Sequence, residues 1–283
     1  HIDIWGPART PSLGRNRYFL TCYDDHSRHT RLYLLKNKSE ALRAFERYII
    51  LVGNHCETTI KRVRIDNGSE FTSNRFKHLL GNNGILENLI PPGDHAQNGR
   101  VERQHLTILN TVRTILIDSK LPQEFWAEAA NYVVHVRNRT PNAKTRKIPY
   151  TMWSGKNVAH ETLRPFGSQI YFRDHTESDK LQARYRPGVL LGWREDSSSY
   201  VRYWDPLKKS VNYSRDVVCS PLDICPVKSK VGTAMKQLDT VDLTSHHIQQ
   251  REEPKINNHQ TPDVHVAPLP PTPTAQRYMT TEL

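Results

Sequence analysis

The chain has 283 residues, enough for one large domain or two smaller ones that each bury an apolar core, and a disulfide-stapled miniprotein is excluded. Lysine and arginine number 40 against 29 aspartate and glutamate, a formal charge of +11 that points to an anionic partner, nucleic acid first. No apolar run approaches the roughly 18 to 20 residues of a membrane-spanning helix, and Cys22, Cys56, Cys219 and Cys225 are widely spread with no C-x-x-C pair, so neither a zinc knuckle nor a disulfide framework is indicated.

His1 stands where a signal segment or initiator would be, so the chain reads as processed or excerpted, and its cysteine usage suits a reducing compartment. Ile2–Trp5 alternates, Arg17–Tyr23 is aromatic and β-rich, and Thr30–Lys36 follows the turn Asp24-Asp25-His26-Ser27, which predicts an antiparallel meander. Ala41, Leu42, Phe45, Tyr48, Ile49 and Val52 then recur at helical spacing, with Ser39 as the expected N-cap and Gly53 as the expected stop. A short strand Val63–Asp66, a helix Ser73–Leu80 and a strand Ile85–Ile90 follow, and Pro91-Pro92-Gly93-Asp94 breaks regular structure.

Beyond the break, Val101, Leu106, Ile108, Leu109, Val112, Ile115 and Leu116 predict a helix with one apolar stripe, ended at Leu121-Pro122, and Glu124–Arg137 predicts another. Short strands at Gln169–Phe172, Gly188–Trp193, Tyr200–Trp204 and Ser210–Val218 suggest a small β-barrel. From Val227 the periodicity fades and prolines cluster, which reads as a disordered tail. Six cationic and six anionic side chains balance there, so the whole positive excess belongs to the folded part and is expected as a surface patch.

Three carboxylates stand where this order of elements can bring them together: Asp3 in the first strand, Asp66 closing the strand Val63–Asp66, and Glu102 in the first turn after the proline loop. Hard divalent cations take oxygen ligands, and a pair of them about 3.5 to 4 Å apart can clamp both oxygens of a phosphodiester exchange. Ile2 and Ile4 share one face of their strand while Asp3 shares the other with Trp5, so an unpaired Asp3 in a covered sheet would be costly and a cation would offset that cost. Taken singly, Asp3 also reads as a surface residue, Asp66 as an Asx turn before Asn67-Gly68, and Glu102 as a helix-dipole partner.

The neighbouring motifs run in order: His1-Ile2-Asp3 with Gly6-Pro7, Asp24-Asp25-His26-Ser27-Arg28, Arg64-Ile65-Asp66-Asn67-Gly68-Ser69-Glu70-Phe71, and Gln97-Asn98-Gly99-Arg100-Val101-Glu102-Arg103. Further on come Phe125-Trp126-Ala127-Glu128-Ala129, Asn138-Arg139-Thr140-Pro141, Trp153-Ser154-Gly155-Lys156, Arg164-Pro165-Phe166-Gly167 and Ser214-Arg215-Asp216-Val217-Val218. In these motifs the sequence resembles the integrase of a copia-type LTR retrotransposon, a member of the DDE integrase and transposase superfamily with a ribonuclease H-like core. The resemblance implies an α/β fold: a ribonuclease H-like core over 1–140 with a five-stranded mixed sheet flanked by helices, a connector over 141–162, a small SH3-like β domain over 163–220 and a disordered proline-rich tail over 221–283.

By the same resemblance Asp3, Asp66 and Glu102 map onto the family's metal ligands, with thirty-five residues between the last two. The implied reaction joins a 3′-hydroxyl of element DNA to target DNA by phosphoryl transfer with two Mg²⁺ ions, Mn²⁺ being a substitute. Implied partners are the element's terminal DNA, target DNA, further copies of the chain on that DNA and a reverse transcriptase in the parent polyprotein. The implied location is a cytoplasmic particle and then the nucleus, with no secretion. Asn67, Asn98, Gly99, Arg100, Arg103 and Arg113 are candidate DNA contacts, through amide, backbone and guanidinium donors to phosphate. Arg184, Arg186, Arg194, Arg202, Lys208 and Lys209, interleaved with Trp193, Tyr200, Tyr203 and Trp204, read either as a nucleic-acid surface or as cations around a barrel core. The family's zinc-binding domain does not precede Asp3, and the proline loop departs from the family pattern at Gly93-Asp94-His95-Ala96, in a loop expected to order when DNA and metal arrive. A DNA-binding relative without catalysis and a ribonuclease H-like nuclease are the other readings.

Overall fold

A computed structural model of the protein describes residues 1–66, 68–89, 95–158, 163–174, 184–194 and 197–224. The strands β1 (Ile2–Trp5), β2 (Tyr18–Tyr23) and β3 (Thr30–Leu35) form the expected antiparallel meander, in the order β1-β2-β3. Across it Asp3 faces Thr21 and Thr21 faces Leu32, while Ile4 faces Leu20 and Leu20 faces Tyr33. Because strand side chains alternate between faces, this register sorts the residues into two cores. Ile2, Leu20, Cys22 and Leu35 pack with Ala44, Phe45 and Tyr48 of helix α1 (Ala41–Cys56), and Phe19 and Leu32 pack on the other face with the later helices.

Helix α1 starts and ends later than its sequence suggests. Lys38–Glu40 forms a single 3₁₀ turn, so Ser39 is not the cap, and Gly53 lies inside the helix, which ends where Glu57 adopts φ 49°. A glycine within a helix costs only about 1 kcal/mol, and burial of Val52 with packing of Cys56 against the same core outweighs it.

Strand β4 (Arg62–Ile65) pairs in parallel with β5 (Leu86–Leu89), the crossover being made by α2 (Ser69–Thr72) and α3 (Asn74–Asn82). Helix α3 begins as expected on Ser73, whose hydroxyl accepts the Phe76 N–H at 3.3 Å. The α/β arrangement is present, but among the described residues its five strands form a three-stranded and a two-stranded ladder instead of one sheet. β1 lies beside β4 without a shared ladder among the described residues. Ile2 of β1 and Val63 and Ile65 of β4 belong to the same buried apolar cluster.

Helix α4 (His95–Ser119) begins inside the stretch expected as a loop, while Ile90–Asp94 lies outside the described residues. Its buried stripe is His105, Ile108 and Val112, whereas Leu106, expected inward, is 62 % exposed because it falls one position off that stripe. Lys120 at φ 56° ends the helix, and a 3₁₀ turn at Gln123–Phe125 leads into α5 (Trp126–Arg139). The short α6 (Pro149–Ser154) stands in the expected connector.

The remaining strands, β6 (Ser168–Arg173), β7 (Tyr185–Arg194), β8 (Ser197–Asp205), β9 (Ser210–Ser214) and β10 (Val217–Ile224), form one antiparallel sheet in the order β10-β6-β7-β8-β9. The single strand expected at Ser210–Val218 is thus two, broken at Arg215-Asp216, and the second runs past the expected boundary at 220. Val189 and Leu191 of β7 join one apolar cluster with Trp126, Ala129, Ala130 and Val133 of α5 and with Phe19 of β2. Arg202 of β8 forks onto the buried Glu128 of α5, Nε to Oε2 at 2.6 Å and Nη2 to Oε1 at 2.8 Å. The expected tail beyond Ile224 lies outside the described residues, and among those described no helix is long and apolar enough to cross a membrane.

Candidate active site

Asp3 sits on the face of β1 that α4 covers, and its carboxyl is held by local geometry. Oδ1 accepts the Ile4 N–H at 2.7 Å, and Oδ2 lies 3.6 Å from His105 Nδ1. The other ring nitrogen of His105 is 2.8 Å from the hydroxyl of Thr21, the residue opposite Asp3 in the ladder. Burial lowers His105 to about 4, so at neutral pH the ring is uncharged and its contact with Asp3 is not an ion pair. His105 also meets Phe19 edge to face, with ring centroids 5.4 Å apart.

Asp3 is pushed up to about 7. Burial is the largest cause, the negative charge of Asp66 the next upward one, and Glu102 adds to it, against the Ile4 hydrogen bond and Lys38. The carboxylates that the sequence singles out are therefore electrostatic neighbours, although they come from β1, the end of β4 and α4. Asp66 Oδ1 accepts the Gly68 N–H at 3.1 Å, closing a tight turn after the strand. Gly68 itself has φ −58°, so no left-handed backbone calls for glycine here. Space calls for it, since a Cβ would stand 3.0 Å from Asp66 Oδ1 and 3.1 Å from Glu70 Oε2.

A carboxyl that is buried and crowded by like charges is stabilised by a proton or by a cation. The donor set is oxygen only, which suits a hard divalent ion more than a thiolate-seeking one. As they stand, no three His, Cys, Asp or Glu side chains among the described residues are gathered closely enough to hold an ion. Glu102 is the exposed member and stands at the solvent side of α4.

Of the expected DNA contacts, Arg103 and Arg113 are exposed on α4, and Arg113 Nη1 donates to Asn110 at 3.0 Å. Asn98, Gly99 and Arg100 belong to the first turns of α4, though their side chains, like the whole of Asn67, lie outside the described residues. In the β6–β10 sheet, Arg186 bridges Asp174 at 2.5 Å and Asp205 at 3.2 Å, and Arg202 is engaged by Glu128. Tyr203 is buried and stacks on Phe172 at 4.3 Å, and Trp204 meets Phe125 edge to face. Those residues build the sheet, whereas Arg194 and Trp193 line a cavity on its α5 side. Asp24 makes a turn, its Oδ2 accepting from the Ser27 N–H at 2.9 Å.

Sequence reasoning missed His105 and Thr21. The signal was present: His105 follows Glu102 by three positions, which places it one helical turn on, and Thr21 is buried and polar in an otherwise apolar strand.

Residues 1–95 match the family model described as "Integrase core domain", a span that includes Asp3 and Asp66 and stops short of Glu102. Among curated proteins the chain is 36% identical over 220 residues to the retrovirus-related Pol polyprotein from transposon TNT 1-94 of Nicotiana tabacum, which covers 77% of this chain and 16% of that protein. It is 28% identical over 225 residues to the transposon Ty1-BR Gag-Pol polyprotein of Saccharomyces cerevisiae, covering 79% of this chain and 13% of that protein. The chain thus spans under a fifth of the length of these relatives. Among solved structures, the HTLV-2 integrase catalytic core domain in complex with magnesium aligns with a TM-score of 0.42 at 19% identity, over 54% of this chain and 93% of that one.

Proposed function

We propose, for a chain that belongs to the integrases of LTR retrotransposons, that it is the catalytic region that joins 3′-hydroxyl ends of element DNA to target DNA. The observation that carries this reading is the half-buried Asp3 carboxyl, raised to about 7 by desolvation and by the charges of Asp66 and Glu102. Asp3, Asp66 and Glu102 are the residues that would hold divalent cations, Mg²⁺ first. Bound there, such ions supply Lewis-acid stabilisation of the charge that develops on the attacking, bridging and leaving oxygens.

The chain's own residues do the rest. The Ile4 N–H, donating to Oδ1, fixes the orientation of Asp3, and the tight turn at Gly68 fixes that of Asp66. Arg103 and Arg113 offer guanidinium donors to phosphate from the exposed side of α4, the helix that carries Glu102. Alignment and charge complementarity account for the chemistry without a covalent protein intermediate. The β6–β10 sheet is read as the SH3-like module of such an enzyme, attached to the 1–140 core through α5. Element ends, target DNA and further copies of the chain are its proposed partners in the nucleus, with reverse transcriptase encoded in the same polyprotein.

The test is a joining reaction with labelled terminal DNA, target DNA and Mg²⁺ or Mn²⁺, beside the Glu102→Gln variant. Joined product from the parent alone supports the reading. Cleavage without joining, or binding with neither, would replace it with a nuclease or a DNA-binding relative.

A further inference from the structure

A fourth carboxylate borders the acidic site and is held by a lysine. Glu70 lies in the short helix α2, one position before Phe71, which is buried and meets Phe76 edge to face with ring centroids 5.4 Å apart. That anchor fixes the backbone from which Glu70 projects. A Cβ at Gly68 would stand 3.0 Å from Asp66 Oδ1 and 3.1 Å from Glu70 Oε2, so oxygens of both carboxylates border the same point. The other Glu70 oxygen, Oε1, is 3.4 Å from Lys38 Nζ.

Lys38 opens the 3₁₀ turn that leads from β3 into α1. The turn is tied down locally, the Lys36 N–H donating to Glu40 Oε2 at 2.9 Å and the Glu40 N–H to Asn37 O at 3.2 Å. An ammonium from this turn thus reaches carboxylates carried by other elements, and its charge favours ionised Asp3 against the upward push of desolvation, Asp66 and Glu102. The Lys38 side chain is 48 % exposed and that of Glu70 17 %. A pair so exposed adds little to stability. Its place matters more: a carboxylate next to Asp66 is a further oxygen donor for a hard cation, and an ammonium turned onto Asp66 or Asp3 would repel that cation.

We propose that the Lys38–Glu70 pair sets the affinity and the ligand count of the carboxylate site for divalent cations: Lys38 withholds Glu70 from the cation, and Glu70 holds the Lys38 ammonium off Asp3 and Asp66. Both are positioning residues. The two halves of the pair act in opposite directions. Without Lys38, Glu70 is released toward the point it shares with Asp66 and becomes an added oxygen ligand. Without Glu70, the ammonium loses its partner and turns to the remaining carboxylates. The inference rests on the reading of Asp3, Asp66 and Glu102 as a cation site, but not on joining activity.

The test titrates the whole chain with Mn²⁺, reading free ion by electron paramagnetic resonance and the waters on the bound ion by proton relaxation. The variants are Lys38→Met, Glu70→Gln, the two combined, and Asp66→Asn. Lys38→Met is expected to bind Mn²⁺ at least about tenfold more tightly, the scale of one added charged ligand, and to hold one water fewer on the ion than the parent. Glu70→Gln is expected to bind about fivefold more weakly, with its water count unchanged. The combined variant, which restores the parental charge, should return to within about twofold of the parent in affinity and to the same water count. Melting temperatures without metal should match the parent in all three. Loss of Mn²⁺ binding in Asp66→Asn, together with unchanged affinity in both single variants or no water lost in Lys38→Met, would overturn the proposal and leave the cation site standing. Parental Mn²⁺ binding in Asp66→Asn would overturn both.

Discussion

The two edges of the β1-β2-β3 sheet carry opposite electrostatic problems. At β1, carboxylates from three separate elements crowd until Asp3 reaches about 7, an arrangement relieved by a cation. At β3, arginines and a lysine gather around aromatic rings with no lining carboxylate among the described residues, an arrangement relieved by an anion. The acidic side is assembled from short, distant pieces of chain, and its geometry is set by one-residue devices: a backbone N–H on Asp3, an Asx turn, a glycine with no room for a Cβ. The basic side is broad and built from whole helices and strands. Single substitutions should therefore be severe at the first and graded at the second.

The largest expected effect is at the acidic edge. Glu102→Gln should lower joining by at least about 10²–10³-fold, the scale of losing a preorganised electrostatic group, while the melting temperature stays at the parental level because Glu102 is exposed. Joining at the parental level would remove Glu102 from the acidic site. Next comes Gly68→Ala, whose methyl would press on Asp66 Oδ1. Displacing a positioned group by about 1 Å can cost 10²-fold, so joining should fall by about 10- to 100-fold with little change in urea midpoint. An alanine variant with full activity would show that Asp66 has freedom the turn does not suggest.

Two smaller effects sharpen the basic edge. Asn138 clamps β3, its Oδ1 accepting the Thr30 N–H at 3.0 Å and its Nδ2 donating to Thr30 O at 2.7 Å, all buried. Asn138→Ala should cost about 1–3 kcal/mol in urea unfolding, the scale of orphaned buried polar groups. His29 is neutral in the fold, lowered to about 3 chiefly by burial and then by Arg31. Its unfolded form titrates near 6.5, so between those values the unfolded chain binds the extra proton. Its contribution is complete above about pH 6.5 and declines as pH falls, by up to about 1.4 kcal/mol per pH unit. His105, lowered to about 4, acts in the same direction. His29→Phe should therefore flatten, without abolishing, the loss of stability between pH 7 and 5, and an unchanged slope would mean that His29 is not kept neutral.

Much of this was legible in the chain itself, for identifiable reasons. Strand alternation placed Asp3 and Trp5 on one face and Ile2 and Ile4 on the other, because a period of two admits few readings. Helix ends were less legible. Ser39 and Gly53 were sound local signals for α1, but packing of Val52 and Cys56 overrode them. The split of Ser210–Val218 and the two separate ladders depend on pairings that local sequence does not encode. His105 escaped because a histidine three residues after a glutamate looks ordinary until the helix is laid against β1 and Thr21. The basic cavity escaped for a related reason: its cations come from six distant positions, and only the fold gathers them.

The central claim is that Asp3, Asp66 and Glu102 answer to one bound cation site. Crystals grown with Mn²⁺, measured for anomalous scattering, test it directly. The account predicts a peak bridged by the Asp3 and Asp66 carboxylates at metal–oxygen distances of about 2.0–2.2 Å, with Glu102 turned toward it and the peak lost in Asp66→Asn. Saturating Mn²⁺ that leaves these carboxylates without a shared ion, or that binds only elsewhere on the protein, would contradict it.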